Sequence, residues 1–184
     1  MNELDKMLAG EVYDPSDHNL SQIRANVREV TAKYNATNRD QKAEREKLLK
    51  GLFGRTGKNI AIEPHFNCDY GQNIKVGENF YANFACVILD CAEVIIGDNC
   101  MLGPQVGIYT ACHPIDPIER VSGIEFAKPI RIGDNCWIGG HATINPGVTL
   151  GHNVVVASGA VVTKSFPDNV VIGGNPAKVI KTIP

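Results

Sequence analysis

Residues 130–163 read IRIGDNCWIGGHATINPGVTLGHNVVVASGAVVT. Within this stretch, an aliphatic residue followed by a small or polar residue recurs every six positions in unbroken register. The pairs are Ile132-Gly133, Ile138-Gly139, Ile144-Asn145, Leu150-Gly151, Val156-Ala157 and Val162-Thr163. A period of six fits neither the 3.6-residue period of an α-helix nor the two-residue period of a half-buried strand. It indicates a repeat architecture instead.

The same register extends upstream through the pairs Ile62-Glu63, Cys68-Asp69, Val76-Gly77, Ala82-Asn83, Ile88-Leu89, Ile96-Gly97, Leu102-Gly103 and Ile108-Tyr109. A longer repeat lies on top of it. Four strings match one template, and they start at positions 74, 94, 130 and 148: IKVGEN, VIIGDN, IRIGDN and VTLGHN. The starts are 20, 36 and 18 residues apart. A spacing of 18 residues is three hexads, and a spacing of 20 is three hexads plus two residues at a corner. The spacing of 36 is one turn of the coil plus an inserted loop of similar length.

Three short strands joined by tight corners would make one triangular coil of three hexads. The aliphatic residue should point inward, and a small residue four places later should also face the interior. The residue after the aliphatic one should lie at the corner, where Gly or Asn tolerates a positive φ. Stacked coils bury a continuous core that one coil cannot. The sequence therefore predicts a mainly β protein built as a parallel β-helix of hexapeptide repeats.

The cysteines fit this register. Five of the six are predicted core residues, because Cys68 takes an inward aliphatic position and Cys86, Cys100, Cys112 and Cys136 lie four places after one. Cys91 falls in the two-residue corner insertion and is less constrained. There is no CxxC pair and no cluster of Cys and His with metal-ligand spacing, so we expect free thiols and no metal site.

The first 54 residues have a helical pattern and are predicted to form a cap on the β-helix of residues 55–184. Apolar residues recur at spacings of three and four at Leu20, Ile23, Val27, Val30 and Tyr34. Asp17 or Ser16 is a candidate N-cap for this helix. A second helix is predicted over residues 39–52 with Asn38 as its cap, and a third over residues 1–10.

The net charge and the distribution of apolar residues limit the partners that the protein can have. The formal net charge of −2 argues against nucleic acid as the main partner. Neither a signal-peptide pattern nor an apolar run of membrane-spanning length is present, so we expect a soluble, cytoplasmic protein without a membrane partner.

The register breaks after Ile108-Tyr-Thr-Ala-Cys112, where His113 and Pro114 open an inserted loop that runs to Lys128. Loops of this length in a regular scaffold are usually functional. A neutral imidazole at the root of the loop is suited to removing a proton from a hydroxyl. A hydrogen-bonded or surface histidine is the alternative, and it is the expected reading for His18, His65, His141 and His152.

The C-terminal part carries a candidate ligand site. Residues 160–184 contain Lys164, Lys178 and Lys181 but one acidic side chain, Asp168. This local positive charge suits a phosphorylated ligand, and a solvated tail is the alternative. Trp137 directly precedes an inward position, so its ring should lie outside the coil, against either a ligand or a neighbouring subunit.

The whole chain resembles the maltose and galactoside O-acetyltransferases of the left-handed, hexapeptide-repeat β-helix superfamily. The matching segments are residues 7–13 (MLAGEVY), 79–84 (NFYANF), 108–114 (IYTACHP), 135–139 (NCWIG), 157–164 (ASGAVVTK) and 174–178 (GNPAK). The resemblance implies a left-handed coil, whereas the general rule for parallel crossovers favours the opposite hand.

The resemblance also implies an acetyl-CoA-dependent O-acetyltransferase that acts on a sugar and forms a homotrimer with shared active sites. It makes His113 the base, Asn83 an oxyanion-stabilising residue, and Asp69, Cys91 and Glu125 acceptor-binding positions. From the residues alone, the preferred interpretation of Asn83 is a corner Asn like Asn145. Cys91 replaces a carboxylate of some relatives, and Glu125 is a candidate to orient His113. The implied CoA-contacting positions are Gly140, Ser158, Thr163, Lys164, Lys178 and Lys181. The exposed ring of Trp137 makes it a further candidate for contact with CoA.

The sequence also allows other acceptors, and two other classes of function can be compared with it. Serine, an antibiotic or a lipo-oligosaccharide are alternative acceptors for the same chemistry. A metal-dependent hydratase on this scaffold would need three convergent histidines, usually with an HxxxxH pair, which the chain lacks. A non-catalytic β-helix would need neither the inserted loop nor the lysine cluster.

Overall fold

The computed structural model describes residues 1–184. Its helices are α1 (Glu3–Ala9), α2 (His18–Asn35), α3 (Lys42–Leu52) and α4 (Pro117–Val121). Its strands are β1 (Ile60–Ile62), β2 (Asn67–Cys68), β3 (Ile74–Val76), β4 (Phe80–Ala82), β5 (Val87–Leu89), β6 (Val94–Ile96), β7 (Met101–Leu102), β8 (Gly107–Tyr109), β9 (Ala111–Cys112), β10 (Phe126–Ala127), β11 (Ile130–Ile132), β12 (Trp137–Ile138), β13 (Thr143–Ile144), β14 (Thr149–Leu150), β15 (Val155–Val156), β16 (Val161–Val162), β17 (Val170–Gly173) and β18 (Lys178–Thr182).

The strands stack into three faces of a triangular coil. The first face has the order β1-β4-β7-β12-β15-β17-β18, the second β2-β5-β8-β13-β16, and the third β3-β6-β11-β14. Neighbours within each face are parallel, apart from the terminal β17–β18 pair. The inward positions are in register from coil to coil, as in the series Cys68, Ile88, Ile108, Ile144 and Val162. The predicted parallel β-helix of hexapeptide repeats is confirmed.

The core follows the predicted hexads. The inward aliphatic residues are buried, and so are the residues four places later, among them Cys86, Cys100 and Cys136. These three thiols contact the coil above. Cys86, Cys100 and Cys136 donate to the carbonyl oxygens of Gly103, Gly133 and Gly151 at 3.1–3.2 Å. A small residue with a weak S–H donor therefore suits this position.

The prediction for Cys112 is wrong. Cys112 is half-buried and lies in β9, which pairs with β10 in an antiparallel ribbon outside the coil. The chain leaves the coil after Thr110, which is fully buried, so the hexad register no longer applies two residues later. Cys91, which the register left unconstrained, is buried in a second cluster with Met7, Tyr13 and Tyr70. All six cysteines are free thiols.

The corner conformation differs from the prediction. Positive φ angles occur three places after the inward aliphatic residue, not one place after it. On the third face this position is Asn, and the side-chain amides form ladders between coils. Asn79 donates to Asn99 at 2.8 Å, and Asn153 donates to Asn169 at 2.8 Å. Asn combines tolerance of the left-handed region with hydrogen bonding to the next coil.

The glycine directly after the aliphatic residue has a different function. A Cβ atom at Gly103 would lie 2.5 Å from the backbone nitrogen of Gly140, and one at Gly133 would lie 2.6 Å from the carbonyl oxygen of Gly151. Real Cβ atoms do not approach backbone this closely. Glycine is needed at these corners because the backbones of successive coils touch there.

Helices α2 and α3 close the N-terminal end of the coil, where they contact β2 and β1. Asp17 caps α2 as predicted, because its carboxylate accepts the Leu20 N–H. The predicted cap of α3 is wrong, since that helix begins at Lys42 after Gln41 and has no side-chain cap. Val27, Tyr34, Leu49, Leu52 and Phe53 join the same hydrophobic core as the coil. None of the helices combines the length and the apolar character needed to cross a membrane.

Candidate active site

His113 lies where the chain leaves the second face. It follows β9, and its side chain is 54% exposed. The inserted loop forms the short helix α4 and returns through β10, which pairs with β9. The end of the loop then rests on residues 10–17 of the same chain, because Tyr13 and Glu125 exchange two backbone hydrogen bonds of 2.9 and 3.0 Å. This support comes from the N-terminal segment, so the loop does not need a second subunit in order to fold back.

A carboxylate faces the histidine. Glu125 Oε1 lies 3.7 Å from His113 Nε2, within ion-pair distance but too long for a hydrogen bond. Glu125 Oε2 accepts a hydrogen bond of 2.7 Å from the Tyr13 hydroxyl. Burial raises the pKa of Tyr13 above its ordinary value of 10.0, so this hydroxyl stays protonated and remains a donor. The carboxylate of Glu125 is therefore held by Tyr13 through one oxygen, and its other oxygen faces the imidazole.

Asp69 and Cys91 lie on the same edge, at the carboxyl ends of β2 and β5. We call this edge the second corner. Cys91 Sγ is 3.8 Å from Asp69 Oδ2, at hydrogen-bond distance for sulfur. Burial raises the pKa of the Asp69 carboxyl, although the nearby Arg24 guanidinium opposes the shift. Burial also raises the pKa of the Cys91 thiol to about 12, so Cys91 is a neutral thiol near pH 7 and not a nucleophile.

Asp90 is a buried carboxyl that fixes this corner. Its Oδ1 accepts the backbone N–H groups of Asp69 and Tyr70 at 3.0 and 2.9 Å. Its Oδ2 is buried without a hydrogen-bond partner, and the residue is fully inaccessible. Burial raises the pKa of Asp90 to about 6, against the effect of its two N–H donors. Asp90 therefore orders the turn that presents Asp69.

The pKa of Asp90 predicts a pH dependence of stability. Because the folded-state pKa of about 6 exceeds the ordinary 3.8, the stabilisation is complete below about pH 3.8 and is lost as the pH rises through 6. The loss is about 3 kcal/mol at most, at 1.36 kcal/mol per pKa unit. Asp90→Asn keeps the acceptor oxygen but does not titrate. Between pH 4 and pH 7, the unfolding free energy of the variant relative to the wild type should rise by about this amount. A urea-unfolding difference that does not change with pH would contradict this assignment.

A second group of predicted residues lies at the carboxyl ends of the first-face strands, which we call the first corner. Asn83 follows β4, Gly140 follows β12, and Ser158 follows β15. The side-chain oxygen of Asn83 accepts the Phe84 N–H at 2.7 Å, and this leaves its NH₂ group as the donor available to a ligand. Gly140 and Ser158 belong to adjacent coils, where the Gly159 N–H donates to the Gly140 carbonyl at 2.9 Å.

The remaining candidates divide between the two edges. Thr163 and Lys164 follow β16 and are exposed at the second corner, above the coil of His113. Trp137 projects from the first face and the residue is 52% exposed, in agreement with the predicted position outside the coil. Lys178 and Lys181 are exposed on β18 of the same face, and Lys181 pairs with Val171 of the neighbouring strand.

One chain therefore brings together Asp69, Cys91, His113 and Glu125, but it does not bring Asn83 to them. The second-face strands separate the two corners, and a three-residue strand spans roughly 10 Å. Two cavities lie away from both corners. One of about 520 Å³ is bounded by α3 and β1, and another of about 530 Å³ lies beside α1 and β3.

Sequence reasoning missed two residues of the second corner. The sequence places Tyr13 in the helical cap and gives no sign of its partner Glu125, which is 112 residues away. Asp90 lies in the corner insertion, where the hexad register gives no orientation. An acidic residue beside an inward strand position was the available signal for Asp90. The structure contains no group of three or more His, Cys, Asp or Glu side chains placed to hold a metal ion.

Two family models match parts of the chain. Residues 6–57 match the model of the maltose acetyltransferase hexapeptide capping motif. Residues 93–111 and 129–164 match the model of the hexapeptide repeat of succinyl-transferase. The chain is 38% identical to galactoside O-acetyltransferase of Escherichia coli strain K12, over 97% of this chain and 88% of that protein.

Solved structures give the same result. A maltose O-acetyltransferase from Clostridium difficile 630 superimposes with a TM-score of 0.99 at 50% identity, over 100% of this chain and 98% of the other. A galactoside acetyltransferase in complex with coenzyme A superimposes with a TM-score of 0.96 at 38% identity, over 100% and 92%. With capping motif, repeats and full-length similarity all in agreement, the chain belongs to the maltose and galactoside acetyltransferase family and is an acetyltransferase.

Proposed function

We propose that the protein transfers an acetyl group from acetyl-CoA to a sugar hydroxyl, with His113 as the general base. The observation that carries this proposal is the second corner, where His113 and Glu125 lie beside the carboxylate of Asp69 on one edge of a rigid coil. Carboxylates suit the hydroxyl groups of a sugar as hydrogen-bond acceptors. The full-length relatives act, by name, on a galactoside and on maltose.

The reaction needs no acyl-enzyme. His113 takes the proton of the acceptor hydroxyl as its oxygen attacks the thioester carbonyl carbon. The tetrahedral intermediate carries an oxyanion, which the free NH₂ group of Asn83 is suited to stabilise. When the intermediate collapses, the carbon–sulfur bond breaks and the protonated imidazole returns the proton to the leaving CoA sulfur. Holding both substrates together supplies much of the rate.

Acetyl-CoA is proposed to run along the coil, away from Asp69. Thr163 and Lys164 lie at the C-terminal end of the second corner, and Lys178 and Lys181 lie on β18. These three lysines supply positive charge for the phosphates of CoA. Gly140 and Ser158 are small residues, and they leave room at the first corner, beside Trp137, for the pantetheine arm of CoA. Lysine keeps the charge that arginine would provide but lacks the bidentate fork.

The active site is proposed to be shared between subunits of a homotrimer. Asn83 and His113 are too far apart in one chain to act on the same carbonyl, but a neighbouring coil would place its first corner against the second corner. Tyr81, Met101 and Trp137 are paired along the first face as a half-exposed apolar stripe. Burial of this stripe between copies would stabilise a closed assembly.

Sedimentation or light scattering should give three times the chain mass of 19.9 kDa. Mixing His113→Ala subunits with Asn83→Ala subunits, each inactive alone, should restore activity, because some shared sites then carry neither substitution. The matched control mixes His113→Ala with Glu125→Ala subunits, whose defects lie at the same corner and should not complement. A fully active monomer, or equal recovery in both mixtures, would exclude the shared site.

The acetyl transfer itself is tested by acetyl-CoA-dependent release of CoA. The acceptor panel should contain maltose, glucose and a galactoside, with serine, an aminoglycoside and chitin oligosaccharides as the competing classes. Release with at least one simple sugar, well above the rate without acceptor, is the expected result. Turnover confined to serine, the aminoglycoside or a chitin oligosaccharide would replace the simple-sugar proposal while leaving the acetyltransferase chemistry in place.

A further inference from the structure

Tyr13 links the N-terminal segment to the candidate catalytic loop. It lies between α1 and α2, and its side chain is 1% exposed. The backbone of Tyr13 pairs with Glu125 through both N–H and C=O groups. The ring packs in the smaller hydrophobic cluster with Tyr70, Cys91 and Ala127, so its position is fixed from several sides.

The Tyr13 hydroxyl is placed to act on Glu125 in particular. It donates to Oε2 at 2.7 Å, which leaves Oε1 as the oxygen that faces His113. The Cys91 thiol also lies close to the hydroxyl and contributes to raising the pKa of Tyr13 above its ordinary value. A buried tyrosine that remains a donor, beside a carboxylate that remains an acceptor, holds that carboxylate in one rotamer.

We propose that Tyr13 is a positioning residue for catalysis, which fixes Glu125 and through it the orientation of His113. The inference rests on the proposed role of His113 as the base. Glu125 makes no other side-chain hydrogen bond within the chain, so Tyr13 is its anchor. His113 is half-exposed and would otherwise sample several rotamers, of which one aims a ring nitrogen at the acceptor.

Tyr13→Phe removes the hydroxyl and keeps the ring, so packing is preserved. A lost hydrogen bond to a charged group predicts a kcat about 10-fold lower. KM for acetyl-CoA should change less than about twofold, because no Tyr13 contact reaches the proposed CoA positions. The matched control is Tyr34→Phe, another buried tyrosine, which lies on α2 and whose hydroxyl donates to the Ile62 carbonyl of β1. Its kcat should stay within about twofold of the wild-type value.

A double-mutant cycle separates positioning from general destabilisation. In a Glu125→Ala background the Tyr13→Phe change should have less than about a twofold effect on kcat, because the group it positions is gone. Rate losses that multiply across both backgrounds would overturn the proposal. So would a wild-type kcat in Tyr13→Phe.

One readout does not depend on turnover. The NMR resonances of the His113 imidazole should differ between the wild type and Tyr13→Phe, yet coincide between Glu125→Ala and the double variant. If the wild type acetylates no acceptor, the proposed function fails but this comparison still decides whether Tyr13 acts on His113 through Glu125. Identical His113 resonances in wild type and Tyr13→Phe would overturn the positioning role.

Discussion

His113→Ala is expected to lower kcat by roughly 10²- to 10⁴-fold, the usual effect of losing a general base, while the protein remains folded. The side chain is half-exposed, and its one close polar neighbour is Glu125 at 3.7 Å, so its loss leaves no cavity in the core. The measurement is steady-state CoA release at saturating substrates, with a thermal unfolding curve of the same sample.

His65→Ala is the matched control for that substitution. His65 is another exposed histidine, in the first coil, and its side chain makes no hydrogen bond within the chain. Its kcat should match the wild type. A folded His113→Ala enzyme with near wild-type turnover would remove His113 from the mechanism, and an equal loss in His65→Ala would point to an indirect effect.

Gly133→Ala is expected to destabilise the fold by about 3 kcal/mol or more, at the upper end of overpacking effects. A Cβ atom at this corner would lie 2.6 Å from the Gly151 carbonyl oxygen and 2.8 Å from the His152 nitrogen. All the nearest atoms are backbone, so no side chain can rotate away and the next coil must shift. Chemical unfolding monitored by circular dichroism gives the change in the free energy of unfolding.

Gly51→Ala provides the opposite expectation for the same chemical change. Gly51 lies in α3, and a Cβ atom there meets nothing within 4 Å. Alanine in place of glycine within a helix should stabilise by about 0.5–1 kcal/mol. If Gly133→Ala were as mild as Gly51→Ala, the close contact between successive coils would be wrong as the reason for the corner glycines.

The inward positions could be read from the sequence because each coil repeats the same burial pattern every three hexads. The corner conformation could not. Composition suggested that Gly133 and similar residues adopt positive φ, yet the left-handed residues include Ala85, Gln105 and His141, three places after the aliphatic residue. In one coil, a glycine required for conformation cannot be distinguished from one required for space. The two can be distinguished only by the contact that the glycine makes with the backbone of the next coil.

Some residues of the candidate site could likewise be predicted from the sequence, and others could not. His113 was recognisable because it interrupts a regular register, and Glu125 because it lies in the interruption. Tyr13 acts through a tertiary contact that no local pattern encodes, since it meets Glu125 across 112 residues. Cys112 shows the limit of extrapolating a repeat: the register predicts a core thiol, but the chain has already left the coil.

Mass spectrometry of the acceptor after incubation with ¹³C-labelled acetyl-CoA tests directly whether the protein acetylates a sugar with His113 as the base. The wild-type protein should add one labelled acetyl group to a sugar hydroxyl, and His113→Ala should give little or no acetylated sugar in the same time. Label recovered as free acetate, with every sugar left unmodified, would exclude acetyl transfer to a sugar. Equal acetylation by His113→Ala would exclude His113 as the base.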